Sequence, residues 1–211
     1  MATLVLINGA PGSGKSTLAS CVAAERPLAL ALDIDAIRHN LGGWHDDQRS
    51  SGRQARRLAV AIARRQLGDG HDVVIGQYLA RTEFIDELEA VARQMHAPFV
   101  EIVLVLDAAT LASRLAARAA APTRPEHAVN NRLVGPGDAP ALVAGINRVL
   151  AARPHALRID GSGTLTQTLD AVRHTLPACR HPASVVGEQH EVSDAARSSG
   201  GRGAVPAAGR R

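Results

Sequence analysis

Lysine is almost missing from this chain of 211 residues: Lys15 is the only one, and every other basic side chain is arginine. Aromatic rings are scarce as well. Trp44, Tyr78, Phe84 and Phe99 are all of them, so the core has to be built from Ala, Val, Leu and Ile. So few rings weigh against a platform on which single-stranded bases stack. The two cysteines, Cys21 and Cys179, are far apart and lack metal-ligand spacing, which argues against a disulfide framework. Cys21 falls inside an expected helix and is expected to be a small core residue. No apolar run approaches the roughly 18 residues needed to span a bilayer. The N-terminus runs straight into a strand with no secretory pattern. A cytoplasmic protein with no membrane partner is expected. The net charge of +4 is shared between residues 1–179 and an arginine-containing tail, so the body has no general nucleic-acid footprint.

What the chain does have is Gly9-Ala10-Pro11-Gly12-Ser13-Gly14-Lys15-Ser16-Thr17. It follows the apolar run 3–8 and opens a helix-like run through Arg26. Strand, glycine-rich loop and helix N-terminus in that order make the phosphate cradle G-x-x-x-x-G-K-[ST]. Glycines let backbone N–H groups turn inward around a phosphate, and the helix N-terminus adds partial positive charge. Lys15 can then reach the β- and γ-phosphates while the Ser16 hydroxyl ligates Mg²⁺. A compact, flexible ammonium suits that reach in a way a planar guanidinium does not.

Further apolar runs predict strands at 28–32, 72–75, 99–106 and 156–159. Between them, helices are expected at 36–41, 53–67, 82–95, 109–119, 126–134, 139–152 and 164–176. The stripe of the 53–67 helix is expected to run through Leu58, Ala61, Ile62 and Ala63. Gly76 to Leu79 is expected as a loop after the third strand. Strands alternating with helices after a phosphate loop imply a parallel sheet covered on both faces, with ligands at the carboxyl ends of the strands. The expected organisation is a domain over 1–179, with a lid at about 119–134, and a disordered tail over 180–211.

Asp33 and Asp35 follow the second strand on the same sheet edge as the loop. Two residues apart in an extended segment, they would point the same way. Transfer of a phosphoryl group to a hydroxyl needs a carboxylate near the acceptor and another near Mg²⁺. Asp35 suits the first role and Asp33 the second, although an aspartate here also serves as a helix N-cap. Arg38, Trp44, Gln77, Tyr78 and Arg81 are the candidate walls of an acceptor pocket; Trp44 could equally cover the sheet edge. Arg114 and Arg118 fit phosphate and nucleotide contacts or a solvated helix face. Arg124 and Arg132 are lid candidates. His39, His45 and His71 have no ligand-like spacing. No strand ends in Asp-Glu, which favours a kinase over a motor ATPase.

The loop, the D-x-D pair and Asp35-Ala36-Ile37-Arg38 together resemble the small P-loop kinases: shikimate and gluconate kinases, chloramphenicol phosphotransferase, 5′-hydroxyl polynucleotide kinases and zeta toxins. The resemblance implies a P-loop NTPase fold, a three-layer α/β/α sandwich with a five-stranded parallel sheet, using ATP and Mg²⁺. It gives Asp35 the role of base and Asp33 that of metal-side carboxylate. It lets Arg38 hold the acceptor. By similarity to nucleoside monophosphate kinases, it places Arg114 on the base and Arg118 on the transferring group. The expected activity is phosphorylation of a hydroxyl on a small molecule, an antibiotic or a metabolite. Two alternatives stay open: a 5′-hydroxyl polynucleotide kinase, and a nucleotide-binding switch without catalysis.

Overall fold

In the computed structural model, which describes residues 1–120 and 134–177, five strands form one sheet in the order β2-β3-β1-β4-β5, every pairing parallel. The strands are β1 (Leu4–Asn8), β2 (Leu30–Leu32), β3 (Val73–Gln77), β4 (Phe99–Val105) and β5 (Leu157–Asp160). Between them come helices α1 (Lys15–Ala24), α2 (Ile34–His39), α3 (Gln48–Gly68), α4 (Glu83–Gln94) and α5 (Ala108–Ala120). A short 3-10 turn (Pro136–Asp138) leads into α6 (Ala139–Ala152), and α7 (Leu165–Thr175) follows β5. The expected lid, with Arg124 and Arg132, the expected helix at 126–134 and the tail from 180 all lie outside the described residues, apart from their edges.

All five residues of β1 are buried because the sheet is covered on both faces. Leu4 and Leu6 join Val73 and Ile75 under α3 and α4. Val5 and Ile7, pointing the other way, join Val74, Ile102 and Leu104 under α1, α5 and α7. A fully buried side chain of this size contributes about 2 kcal/mol by leaving water. At the amino edge of the sheet, Asp72 accepts from the Thr3 N–H and from Arg26. Midway along β4, Arg153 ties Glu101 to Asp86 and Glu89 on α4.

Helix α3 departs from the expected pattern. It starts at Gln48, where the Asp47 carboxylate accepts from the Ser50 N–H at 2.9 Å. Its buried face is Ser51, Ala55, Ala59, Ala63 and Leu67, each four residues from the next. Leu58 and Ala61 lie off that stripe, and Ile62 is 38% exposed. The helix comes close enough to the neighbouring elements that small side chains, not large ones, occupy the contact. The third strand also runs further than expected: Gly76 and Gln77 are inside β3, paired with Ile7 and Asn8.

Candidate active site

The glycine-rich loop joins the carboxyl end of β1 to α1. Gly12 and Gly14 hold φ of 87° and 90°, the left-handed region where a Cβ is strained. Gly9 has a different constraint: a Cβ there would lie 2.5 Å from Ser13 Oγ. Helices α2, α3 and α7 are capped by side chains, whereas α1 has Gly14 at its cap, no side-chain bond and no acid in its first turn. Its N-terminal partial charge is therefore left to an anion from outside. Ser13 Oγ is buried without a hydrogen-bond partner among the described residues. Ala10 is buried, Pro11 is half-buried, and Thr17 is on the exposed side of the helix.

Burial pushes the pKa of Lys15 down to about 8. Asp35 opposes that shift, Arg118 adds to it, and Asp33 opposes it, in that order of size. The four charged groups expected to work together thus act on one another across the loop. Burial also lowers the pKa of the Arg118 guanidinium.

The two aspartates are arranged differently from the extended pair expected. Asp33 is the N-cap of α2, its Oδ1 accepting from the N–H groups of Asp35 (2.9 Å) and Ala36 (3.1 Å). Asp35 already belongs to the first turn of the helix. Capping satisfies helix donors that would otherwise have no partner, and it directs the two carboxylates separately. Three residues on, Arg38 lies on the same helix face, its guanidinium 5.1 Å from the centre of the Trp44 ring. Arg38 Nε is buried without a hydrogen-bond partner among the described residues. His39 also packs on Trp44, with ring centroids 4.3 Å apart, so Trp44 anchors the 42–47 loop to α2.

Arg114 turns across to the loop after β5, donating to the carbonyls of Ser162 (3.0 Å) and Gly163 (3.1 Å). Asp107, at the end of β4, is a helix cap: it accepts from the Thr110 N–H and hydroxyl. His45 is exposed beside Asp46, and His71 is half-buried.

Asn8, a buried residue that sequence reasoning did not single out, fixes the segment after β3. Its side chain donates to the Leu79 carbonyl at 3.0 Å and accepts from the Leu79 N–H at 2.9 Å. Gly76 explains itself in the same way: a Cβ would lie 2.8 Å from the Lys15 carbonyl and 3.0 Å from Ser16 Cα. Strand β3 therefore presses directly on the first turn of α1. Tyr78 is half-buried, and its hydroxyl lies 2.7 Å from where Gly145 would carry a Cβ. Beside these residues is a cleft of about 400 Å³ lined by Arg56, Tyr78, Leu79, Ala80, Arg81, Glu83 and Phe84. Arg56 had no signal in the sequence, because it is one of six arginines on α3.

The model of the family described as AAA domain (AAA_33) matches residues 4–134, a span that includes the loop, the aspartates and both helical arginines. The chain belongs to the AAA_33 family. No curated protein sequence matches it. Among solved structures, this AAA domain resembles a gluconokinase from Sinorhizobium meliloti (16% identity, 82% of this chain and 93% of that one, TM-score 0.52). It also resembles the Deinococcus radiodurans tunicamycin resistance protein (14% identity, 86% and 100%, TM-score 0.54). A chain of the Pnkp1/Rnl/Hen1 RNA repair complex aligns over 72% of this chain and 46% of its own length (16% identity, TM-score 0.59). At these identities the likeness is one of fold: the five-stranded α/β fold expected for small P-loop kinases. For a metal, the AAA domain offers oxygen donors only, the Ser16 hydroxyl and the carboxylates of Asp33 and Asp35. Among the described residues no three His, Cys, Asp or Glu side chains gather as a metal cage. That sparse set fits Mg²⁺, which keeps waters and takes further ligands from substrate phosphates.

Proposed function

We propose that this AAA domain is an ATP-dependent phosphotransferase acting on a hydroxyl of a small molecule. The observation that carries the reading is the half-buried Lys15 ammonium, set in the phosphate loop and within electrostatic reach of Asp35, Arg118 and Asp33. A structural ion cluster has no need of an uncapped helix and two left-handed glycines beside it. The acceptor oxygen attacks the γ-phosphorus, its proton passes to the Asp35 carboxylate, and the bond to the β–γ bridging oxygen breaks to release ADP. Lys15 and Arg118 hold the phosphoryl oxygens, whose charge spreads in a loose transition state. Ser16 and Asp33 would hold Mg²⁺, which would supply charge neutralisation for the β- and γ-phosphates. Arg114 holds the loop after β5 where the nucleotide base would lie, and Arg38, Trp44, Gln77, Tyr78 and Arg81 face the acceptor. Among the described residues no helix is long and apolar enough to cross a membrane, and a cytoplasmic site of action suits an ATP-using enzyme.

A second reading has its own support. The RNA repair complex has the highest TM-score of the three structures compared, and Asp35 and Arg38 also suit a 5′-hydroxyl polynucleotide kinase. One assay separates the readings. The protein, ATP and Mg²⁺ are incubated with hydroxyl-bearing metabolites, antibiotics and a 5′-hydroxyl oligonucleotide, and added phosphate is read by mass spectrometry. Asp35→Asn should lower product formation on the order of 10²- to 10⁴-fold with ATP affinity unchanged. Tight ATP binding with no phosphorylated product from any acceptor would leave a nucleotide-binding switch instead.

A further inference from the structure

Resting on the phosphotransferase reading, we infer that the acceptor is a small hydroxy compound carrying an anionic group, a carboxylate or a phosphate. Arg56 and Arg81 would bind that group in the cleft between α3 and the β3–α4 segment. The cleft opens at the carboxyl edge of the sheet, since Tyr78 to Arg81 directly follow β3. Its volume of about 400 Å³ is within the range that encloses small ligands.

Charge decides the chemistry. Two guanidiniums line the cleft against one carboxylate, Glu83. Glu83 stands in the first turn of α4, where the helix N-terminus stabilises a negative charge. Some arginines of this chain are held by carboxylates: Arg26 by Asp72, Arg65 by Asp69, and Arg173 by Glu25 and Asp170. Arg56 and Arg81 make no ion pair among the described residues. Arg56 is held as well, its guanidinium 5.2 Å from the centre of the Phe84 ring. A guanidinium held over a ring keeps N–H groups available, and those can meet a carboxylate or phosphate in two parallel hydrogen bonds. Phe84 is itself buried, so this contact is present before any ligand arrives. Asn8 fixes the opposite wall through Leu79. An anion so placed would orient the rest of the acceptor toward the phosphate loop.

The test fills the phosphate loop first, so that it cannot be the anion site. With Mg²⁺ and a non-hydrolysable ATP analogue saturating, the full chain is titrated with a sugar acid, the matching sugar phosphate and the neutral sugar, and Tm is followed. The acid or the phosphate should raise Tm and the neutral sugar should not; which of the two acts tells carboxylate from phosphate. Arg56→Gln and Arg81→Gln, both at exposed positions, should weaken that response on the order of tenfold each, with folding and analogue affinity unchanged. A neutral sugar acting as well as its acid, or anion binding untouched by both variants, would overturn the inference. So would preferred phosphorylation of an oligonucleotide 5′-hydroxyl when ATP replaces the analogue. Anion binding that depends on both arginines, without any product from ATP, would uphold the cleft and refute the phosphotransferase reading.

Discussion

Lys15→Met should make the ligand-free protein more stable while removing its activity. Methionine keeps the length of the side chain and drops the charge. The folded state holds Lys15 at a pKa of about 8 against an ordinary 10.5, burial outweighing the help of Asp35 and Asp33. That difference corresponds to about 3 kcal/mol disfavouring the folded, charged form, trimmed to about 2 kcal/mol where solvent reaches the half-buried residue. Below pH 8 both folded and unfolded chains carry the proton, so the cost is present in full. Between pH 8 and 10.5 the unfolded chain still binds a proton that the folded chain has released, and stability rises with pH. Above that range the cost is gone. Urea or thermal unfolding of wild type and variant should therefore differ by about 2 kcal/mol at pH 7, or roughly 4 to 8 °C in Tm for a domain of this size. The gap should close as the pH approaches 10.5. Burial also raises the pKa of Tyr78, which lowers stability at alkaline pH, but it does so in both proteins and cancels in the comparison. Adding ATP and Mg²⁺ should reverse the order, because a ligand at a hundred times its Kd stabilises only the chain that binds it, by about 2.7 kcal/mol. A variant less stable than wild type at pH 7, or a gap that does not change with pH, would refute the reasoning.

Gly76→Ala places a methyl 2.8 Å from the Lys15 carbonyl. It should cost about 1 to 3 kcal/mol in unfolding free energy and weaken ATP binding measured by calorimetry, since only a shift of the first turn of α1 relieves the clash. Asn8→Ala leaves the Leu79 N–H and carbonyl buried without partners. It should cost about 2 to 4 kcal/mol and raise the acceptor KM more than the ATP KM. Arg153→Ala removes the partner of the buried Glu101 carboxylate, whose pKa burial already raises. Urea unfolding should show a loss of about 3 kcal/mol with ATP affinity unchanged, because this cluster joins β4 to α4 and holds no residue of the loop.

The phosphate loop was legible because its requirements are local. Two left-handed backbone positions call for glycine, the reach to phosphate calls for lysine, and both stand within nine consecutive residues. The parallel sheet was legible for a related reason: runs such as Leu4–Ile7 and Ile102–Leu104 are apolar at every position, which only burial on both faces permits. The Asp33–Asp35 pair was found by position, but its geometry was not. Extended and helical backbone were both open to Asp-Ile-Asp, and the helix won because Asp33 could cap it.

What stayed hidden depends on how closely elements approach in space. Periodicity put Leu58, Ala61, Ile62 and Ala63 in the core stripe of α3; of these only Ala63 is buried, and it shares the contact with Ala55 and Ala59. Alanine is the weakest apolar signal, yet it is what a close helix contact selects. Gly76 looked like the end of a strand, and its reason is the backbone of α1, sixty residues earlier. Asn8 was only the last residue of the apolar run 3–8, and its partner is Leu79. Both residues act between β1, the loop and the segment after β3. In this chain the nucleotide half of the site is therefore written in consecutive residues. The cleft proposed for the acceptor draws on Arg56 and Arg81 and on Asn8 behind Leu79, and their spacing carries no pattern until the sheet brings them together.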